Sequence, residues 1–384
     1  MKTPPGKTWL EISTSALAHN ARELKRLIGR EVRLIAVVKS NAYGHGLALV
    51  ARAVKNAVDV FAVDQLSEAQ TIRAADVRRP VIILGYTPNF SLAETIKSGF
   101  SFTVYNPETI RAAGRLATKK HPARIHLKIE TGTSRQGVLA ADLPAILKLV
   151  RRQPHVILEG VSTHYANIED TTDPTYARLQ LKRFHSALAA IADAGLKPKF
   201  IHTACSAAAI LYPESRFNAV RVGIALYGLW PSPETKASTK ASTKAFGRRL
   251  DLRPALAWKT VVAQVKKMPA GAPVSYGLTE RLKQDAQLAV LPVGYWDGFG
   301  RGLSSVGEVL IRGRRCRVVG RVCMNMCVVD ASAVPDLRPG EIATLIGSQG
   351  RDRVSAEELA ARLSTINYEA VTRINPLTPR IPSK

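Results

Sequence analysis

The sequence predicts an α/β protein: a (β/α)8 TIM-type barrel followed by a mainly β C-terminal domain. Eight short runs rich in β-branched residues alternate with helix-like segments as far as Trp230. Beyond Arg253, helical spacing largely gives way to strands between Gly and Pro turns. Strands of continuous apolar character are buried on both faces, as parallel strands are, and eight of them close into a barrel. A chain of 384 residues, 46% hydrophobic, can bury cores for two domains.

A short strand at 9–12 opens the chain, and Ser13 or Thr14 caps a helix whose Leu17, Leu24, Leu27 and Ile28 recur at helical spacing. Barrel strands are predicted at 33–38, 58–62, 80–84, 101–104, 123–129, 156–162, 199–201 and 219–222. Helices fall between most of them, at 47–56, 67–75, 91–98, 107–118, 143–152, 176–194 and 206–211. Barrels of this kind keep their chemistry at the C-terminal strand ends, which here carry Lys39, Arg135, His164, Ser206 and Gly223. The loops after the last two strands are the usual phosphate seat. The expected divisions are 1–235 for the barrel, with a first strand able to join the β domain, 236–250 for a low-complexity basic insertion, and 251–384 for the β domain. The insertion repeats Ala-Ser-Thr-Lys, follows Pro231 and Pro233, and lacks large apolar side chains, so it reads as a solvated, mobile linker. In the β domain, strands are expected at 255–265, 288–293, 306–311, 314–319, 326–330 and 342–346, with a late helix at 355–363.

The net charge of +25 first suggests nucleic acid, but the basic residues are dispersed and not interleaved with aromatics. Attraction of small anions is the better reading, and specific nucleic-acid recognition is not expected. Residues 1–7 hold no apolar run of signal-peptide length, no stretch reaches membrane-span length, and four cysteines suit a reducing compartment, so a cytoplasmic protein is expected. Cys323 and Cys327 lie close together without the further ligands of a zinc site, and no metal is expected.

The most informative stretch is Ala36-Val-Val-Lys39-Ser-Asn-Ala-Tyr43-Gly44-His45-Gly46. An apolar strand ends abruptly at Lys39, and the chain then turns through small residues and two glycines. A lysine at the mouth of a buried strand would be partly desolvated, which favours the neutral amine that Schiff-base chemistry requires. Taken alone, the residue is better explained as a lysine that ends its strand in solvent. The stretch resembles the lysine motif of alanine racemases, whose usual form is Lys, a small residue, then Asn-Ala-Tyr-Gly-His-Gly. That resemblance implies pyridoxal 5'-phosphate carried on Lys39, interconversion of L- and D-alanine, supply of D-alanine for peptidoglycan, and a homodimer with shared active sites.

Racemisation takes a proton from one face of a carbon and returns one to the other, so two proton carriers are needed. The resemblance implies Tyr276, in Val274-Ser275-Tyr276-Gly277, as the second, reaching the barrel of a partner subunit. A phenol is a poor base at neutral pH, and nearby cations, expected at His164 and Arg221, would improve it. Arg221, in Val220-Arg221-Val222-Gly223-Ile224, matches the residue that faces the cofactor's ring nitrogen. An arginine there keeps its proton and weakens the electron sink, which suits a racemase over a decarboxylase. The family's remaining cofactor contacts fall on Tyr43, Leu84, Arg135, His164, Ser206, Gly223, Ile224 and Tyr368. Arg135, Met324 and Tyr295 match contacts to the substrate, and Lys128 matches a lysine open to carbamylation. An unmodified Lys128 would set like charge against Arg135, which gives that modification a physical motive.

The resemblance runs from about residue 9 to 380 apart from the insertion. Asn325 stands where aspartate usually follows the methionine, Cys205 replaces a frequent asparagine, and Thr133-Ser134 replaces Met-Gly. These departures keep a racemase of broader range, accepting serine, as the alternative. A fold-related decarboxylase is disfavoured by Arg221, and a non-catalytic cofactor-binding protein by the domain that holds Tyr276.

Overall fold

The structure is a computed structural model that describes residues 4–241 and 250–384. β1 (Thr8–Ser13) leads into α1 (Thr14–Ile28), followed by β2 (Arg33–Val37), α2 (Leu47–Val54), β3 (Val60–Val63), α3 (Leu66–Ala74) and β4 (Val81–Ile83). Next come α4 (Asn89–Lys97), β5 (Ser101–Val104), α5 (Pro107–Leu116), β6 (Ala123–Lys128), α6 (Leu143–Arg151) and β7 (Val156–Ser162). α7 (Thr175–Asp193), β8 (Phe200–His202), α8 (Ser206–Leu211), β9 (Ala219–Val222) and α9 (Pro233–Ala241) complete this part. The chain divides into two compact units, of which the larger holds Ala16–Ala42 and Leu47–Pro254.

All eight expected barrel strands form in this unit, within two residues of the sequence reading. They pair in parallel in the order β8-β7-β6-β5-β4-β3-β2-β9. Every residue of β3, β4, β5 and β9 is buried, the continuous burial that a strand covered on both faces demands. Between the end strands β8 and β9, Asn218 supplies bonds that a ladder would otherwise make. Its Oδ1 accepts from the Ile201 N–H (2.8 Å) and its Nδ2 donates to the Lys199 carbonyl (3.1 Å), while the Arg221 N–H reaches the Ala204 carbonyl (2.9 Å).

The expected linker begins instead as a helix. Ser232 Oγ accepts from the Thr235 N–H (3.0 Å), Pro233 occupies the first turn, and Thr235 and Thr239 bury one face of α9. Alanine and lysine are good helix formers, so four-residue repetition supports a helix where low complexity suggests coil. Residues 242–249 of the expected insertion lie outside the described residues.

The smaller unit joins the chain up to Ser15 with Tyr43–Gly46 and Ala255–Lys384. Its later elements are β10 (Leu256–Val261), β11 (Gln264–Met268), β12 (Ala286–Leu291), β13 (Glu308–Ile311), β14 (Arg314–Arg317), β15 (Cys327–Asp330), β16 (Ile342–Gln349) and β17 (Asp352–Val354). α10 (Ala356–Arg362), α11 (Asn367–Thr372) and β18 (Arg380–Ser383) end it. One sheet runs β14-β13-β16-β10-β1-β18, with β17 paired to β16, and a second runs β11-β12-β15. The single strand expected at 255–265 is two strands in different sheets. The Val262 N–H bonds the Glu341 carbonyl (2.7 Å) and the next N–H, on Ala263, bonds the Val290 carbonyl (2.8 Å), so the chain crosses between sheets there. β17, α11 and β18 were not foreseen, being too short to show a period. The buried Trp258 anchors this unit, its Nε1 donating to Thr8 Oγ1 (2.9 Å) and its ring meeting Phe299 edge-on.

Gly228 follows a 3-10 turn in the barrel unit at φ +80°, where an added Cβ would lie 1.8 Å from the Arg253 carbonyl oxygen. Gly228→Ala combines left-handed strain with overpacking and should cost at least about 3 kcal/mol, measured by urea unfolding; an unchanged midpoint would contradict the assignment.

Candidate active site

At the end of β2 the chain makes a left-handed turn. Ser40, Asn41, Ala42 and Tyr43, none of them glycine, hold φ between 52° and 56°. Left-handed backbone costs about 1–2 kcal/mol per such residue and persists only where neighbours enforce it. Glu68, on α3, does so: one carboxylate oxygen accepts from the Ser40 N–H (2.6 Å) and the Asn41 N–H (3.4 Å), the other from the Asp64 N–H (2.8 Å). Asn41 Oδ1 then accepts from the Leu47 N–H (2.9 Å) and starts α2. Lys39 stands at the head of this turn. The side chain is partly covered, 40% exposed, and its Nζ lies 3.5 Å from Asp64 Oδ1, a carboxylate partner that the sequence reading did not include. No spacing in the sequence marks Asp64 or Glu68.

The other strand ends deliver more positive charge. Lys128 closes β6, and the loop after it carries Arg135, which is exposed. Glu130 shapes that loop by accepting the Gly132 and Thr133 N–H groups (2.5 and 2.7 Å). Burial pushes the Lys128 ammonium down to about 8, helped by Arg221, Arg135 and Lys39 and opposed by Glu130. His164, after β7, is pushed down to about 3 by burial and then by the fields of Arg221, Lys128, Arg135 and Lys39. It is therefore neutral at physiological pH, and the cationic help expected from it for Tyr276 is absent.

Arg221, on β9, is buried, yet burial lowers it only to about 10, so it keeps its charge. Its Nη1 donates to His202 Nδ1 and to the His202 carbonyl, both at 2.6 Å. Its Nη2 reaches the Thr163 (2.8 Å) and Thr203 (2.9 Å) carbonyls and His164 Nδ1 (3.3 Å). Among the described residues Nε makes no hydrogen bond, so one oriented N–H remains for an outside acceptor.

After β8 and β9, Ser206 Oγ accepts from the Gly223 N–H (3.1 Å) and the Ala225 N–H (3.5 Å), leaving its own proton for an acceptor, with Ile224 adjacent. Beside it, burial and then Glu169 push the Cys205 thiol up to about 11, so it stays protonated. Leu84 follows β4 at the same end of the barrel. A phosphorylated aldehyde with a ring nitrogen fits these groups: clustered cations for its charge, the Ser206 hydroxyl for an oxyanion, the unused Arg221 Nε–H for the ring, and Lys39 for the carbonyl carbon.

The smaller unit gathers the other expected residues. Ser275, at φ +65°, donates from Oγ to the Arg321 carbonyl (2.6 Å) and so fixes the turn that presents Tyr276. The Tyr295 and Trp296 N–H groups bond the Cys323 (3.1 Å) and Met324 (3.0 Å) carbonyls, and a Cβ on Gly294 would sit 2.2 Å from the Cys323 oxygen. Tyr276, Tyr295 and Met324 thus share one group of loops, and all three are exposed. Tyr43 and Tyr368 also meet in this unit, with ring centroids 6.1 Å apart.

Residues 12–231 match the family model for the alanine racemase N-terminal domain, and residues 255–382 that for the alanine racemase C-terminal domain. An alanine racemase of Symbiobacterium thermophilum is 40% identical over 97% of this chain and 96% of its own length. One from Methanococcus maripaludis is 36% identical over 97% and 98%. The solved alanine racemase of Bacillus anthracis with bound L-Ala-P superposes with a TM-score of 0.90 at 35% identity, covering 98% of this chain and 95% of that one. That of a D-cycloserine-producing Streptomyces lavendulae gives 0.89 at 34%, covering 99% and 98%.

The buried neutral state of His164 has a measurable consequence. Its native pKa, about 3, lies below the ordinary 6.5, so on acidification the unfolded chain binds a proton that the folded chain refuses. Stability should fall by about 1.4 kcal/mol per pH unit from this residue as pH drops from 6.5 towards 3. Urea unfolding of the wild type and of His164→Asn across that range should show a shallower slope in the variant, which loses this residue's share and keeps those of the buried His126 and His202. Parallel curves would contradict it.

Proposed function

Because the chain belongs to the alanine racemase family, we propose that it interconverts L- and D-alanine on pyridoxal 5'-phosphate, with Lys39 serving one face of the α-carbon and Tyr276 the other. The observation that carries the site assignment is the single unused Nε–H of Arg221, held by five other contacts in a mouth crowded with cations. When bound, pyridoxal phosphate supplies the electron sink that makes the α-carbon acidic. Arg221 donates a hydrogen bond to the ring nitrogen but no proton, which keeps that sink weak and favours return of the proton over other fates. Ser206, Gly223, Ile224, Tyr43 and Tyr368 hold the phosphate, Leu84 borders the ring, and His164 stays neutral beside Arg221. Arg135 and the Met324 N–H take the substrate carboxylate, and Tyr295 lines the entrance.

Tyr276, Leu278, Tyr295, Trp296, Met324 and Met326 are large apolar side chains exposed on or beside one group of loops. Exposed apolar side chains gathered on one group of loops call for a cover, and a second copy of the chain that receives Tyr276 into its own barrel supplies one. D-Alanine from the reaction would feed peptidoglycan synthesis. A cytoplasmic location accords with four free cysteines.

Tyr276→Phe should lower racemisation at least about 100-fold, the scale of a lost general acid or base. If the sites are shared between copies, dissociating and remixing inactive Lys39→Ala and Tyr276→Phe chains should restore roughly a quarter of wild-type activity, since each mixed dimer regains one intact site. Unchanged turnover in Tyr276→Phe, or no recovery on mixing, would contradict the assignment. Lys128, pushed down to about 8, exposes a neutral amine fraction that can add carbon dioxide. Native mass spectrometry should find the added carbamate on the wild type and not on Lys128→Ala.

A further inference from the structure

Arg221 is a buried cation whose recorded partners are all neutral: carbonyl oxygens and two imidazoles. A buried charge left without compensation is strongly destabilising, so its counter-charge has to be sought further off. Following the hydrogen bonds inward leads to one. Arginine only donates, so Nη1 fixes His202 Nδ1 as an acceptor at 2.6 Å, which puts the His202 proton on Nε2. That Nε2–H faces His126 Nδ1 at 2.8 Å, making it an acceptor in turn and putting the His126 proton on Nε2. His126 Nε2 is fully buried, has no hydrogen-bond partner among the described residues, and lies 3.6 Å from Glu159 Oε2. The last gap is a charge–dipole contact, slightly too long for a hydrogen bond. Each link has one possible direction, and the chain ends on a carboxylate.

The fold takes specific measures to keep this row. Glu159 is the extra residue of a β-bulge: Ile125 pairs with Leu158 and His126 with Gly160, so Glu159 falls out of register and is re-aimed. Gly160 leaves room for the ring, because a Cβ there would lie 2.2 Å from His126 Nδ1, the very atom that receives the bond from His202. The carboxylate is held by Ser101 Oγ and by Arg124 Nη1 (3.4 Å). Burial would raise its pKa, but His126, Ser101 and Arg124 bring it down to about 2, so it is charged at any working pH. Both imidazoles are driven the other way, first by burial, and remain neutral.

We propose that Glu159 is the counter-charge of Arg221, relayed across the barrel interior by His126 and His202 in fixed Nε2–H tautomers, and that these three act as positioning residues for the guanidinium. Each donated proton polarises the next ring towards the carboxylate, which stabilises the positive charge at the far end and holds the guanidinium plane so that Nε–H faces outward. The relay rests on the reading that Arg221 serves the cofactor.

The test is nitrogen NMR of histidine-labelled protein, wild type and Glu159→Gln, together with steady-state kinetics. In the wild type at neutral pH, His126 and His202 should both show a protonated Nε2 and a bare, bonded Nδ1. In Glu159→Gln the His202 signals should move, although residue 159 does not touch that ring, and kcat should fall about tenfold with KM held within about twofold, a coupling within the range of networked groups. A proton on Nδ1 of either ring, or an imidazolium, overturns the relay from the wild type alone, whether or not the variant folds. A folded Glu159→Gln with unmoved His202 signals and unchanged kcat overturns it as well. Loss of the underlying function is told apart from both, since it would show as absent racemisation in the unaltered protein.

Discussion

Positive charge crowded into one end of the barrel is the constraint that organises this molecule. Lys39, Lys128, Arg135 and Arg221 all act on His164, and three of them act on Lys128 itself. Of the carboxylates at this end, Asp64 pairs with Lys39, while Glu68 and Glu130 are engaged by backbone N–H groups. A mouth built this way has a standing demand for an anion, and a phosphate-bearing cofactor meets it at the strand ends where the barrel already points its chemistry. Burial first, and then the same field, make His164 neutral and bring Lys128 down to about 8. The charge is organised locally: the chain's excess of +25 is dispersed, but a few cations gather at the ends of β2, β6 and β9.

Much of this was legible in the sequence, because the signals were either periodic or local. The eight barrel strands are short, continuously apolar and separated by helical spacing, and each formed where expected. Lys39 was singled out by the motif that follows it. The shape of that motif did not. A run of four non-glycine residues in left-handed conformation opposes every local propensity, and it forms because Glu68, contributed by a later helix, collects the turn's N–H groups. A carboxylate acting at a distance of about 28 positions leaves no pattern in either stretch.

The misreadings have the same origin. Repeated Ala-Ser-Thr-Lys looks like coil by composition, yet a serine cap and two buried threonines make its first part a helix. The strand expected at 255–265 breaks where successive N–H groups find partners in different sheets, a choice fixed by Glu341 and Val290 far along the chain. His164 was expected to lend charge to a tyrosine, but burial among cations strips its proton. Likewise Arg221 had no acidic neighbour in sequence. The counter-charge proposed for it lies on another strand, at the end of two imidazoles, and a bulge and a glycine had to be seen in place to find it.

An aldehyde cofactor held on Lys39 in the charged mouth of the barrel can be trapped there chemically. Borohydride reduction of the purified holoenzyme, followed by proteolysis and mapping of the labelled peptide, tests that attachment most directly. The account predicts loss of the bound cofactor's absorbance band and a stable adduct on Lys39 alone. An adduct on any other lysine, or a protein that carries no reducible cofactor after expression and loading, would contradict it.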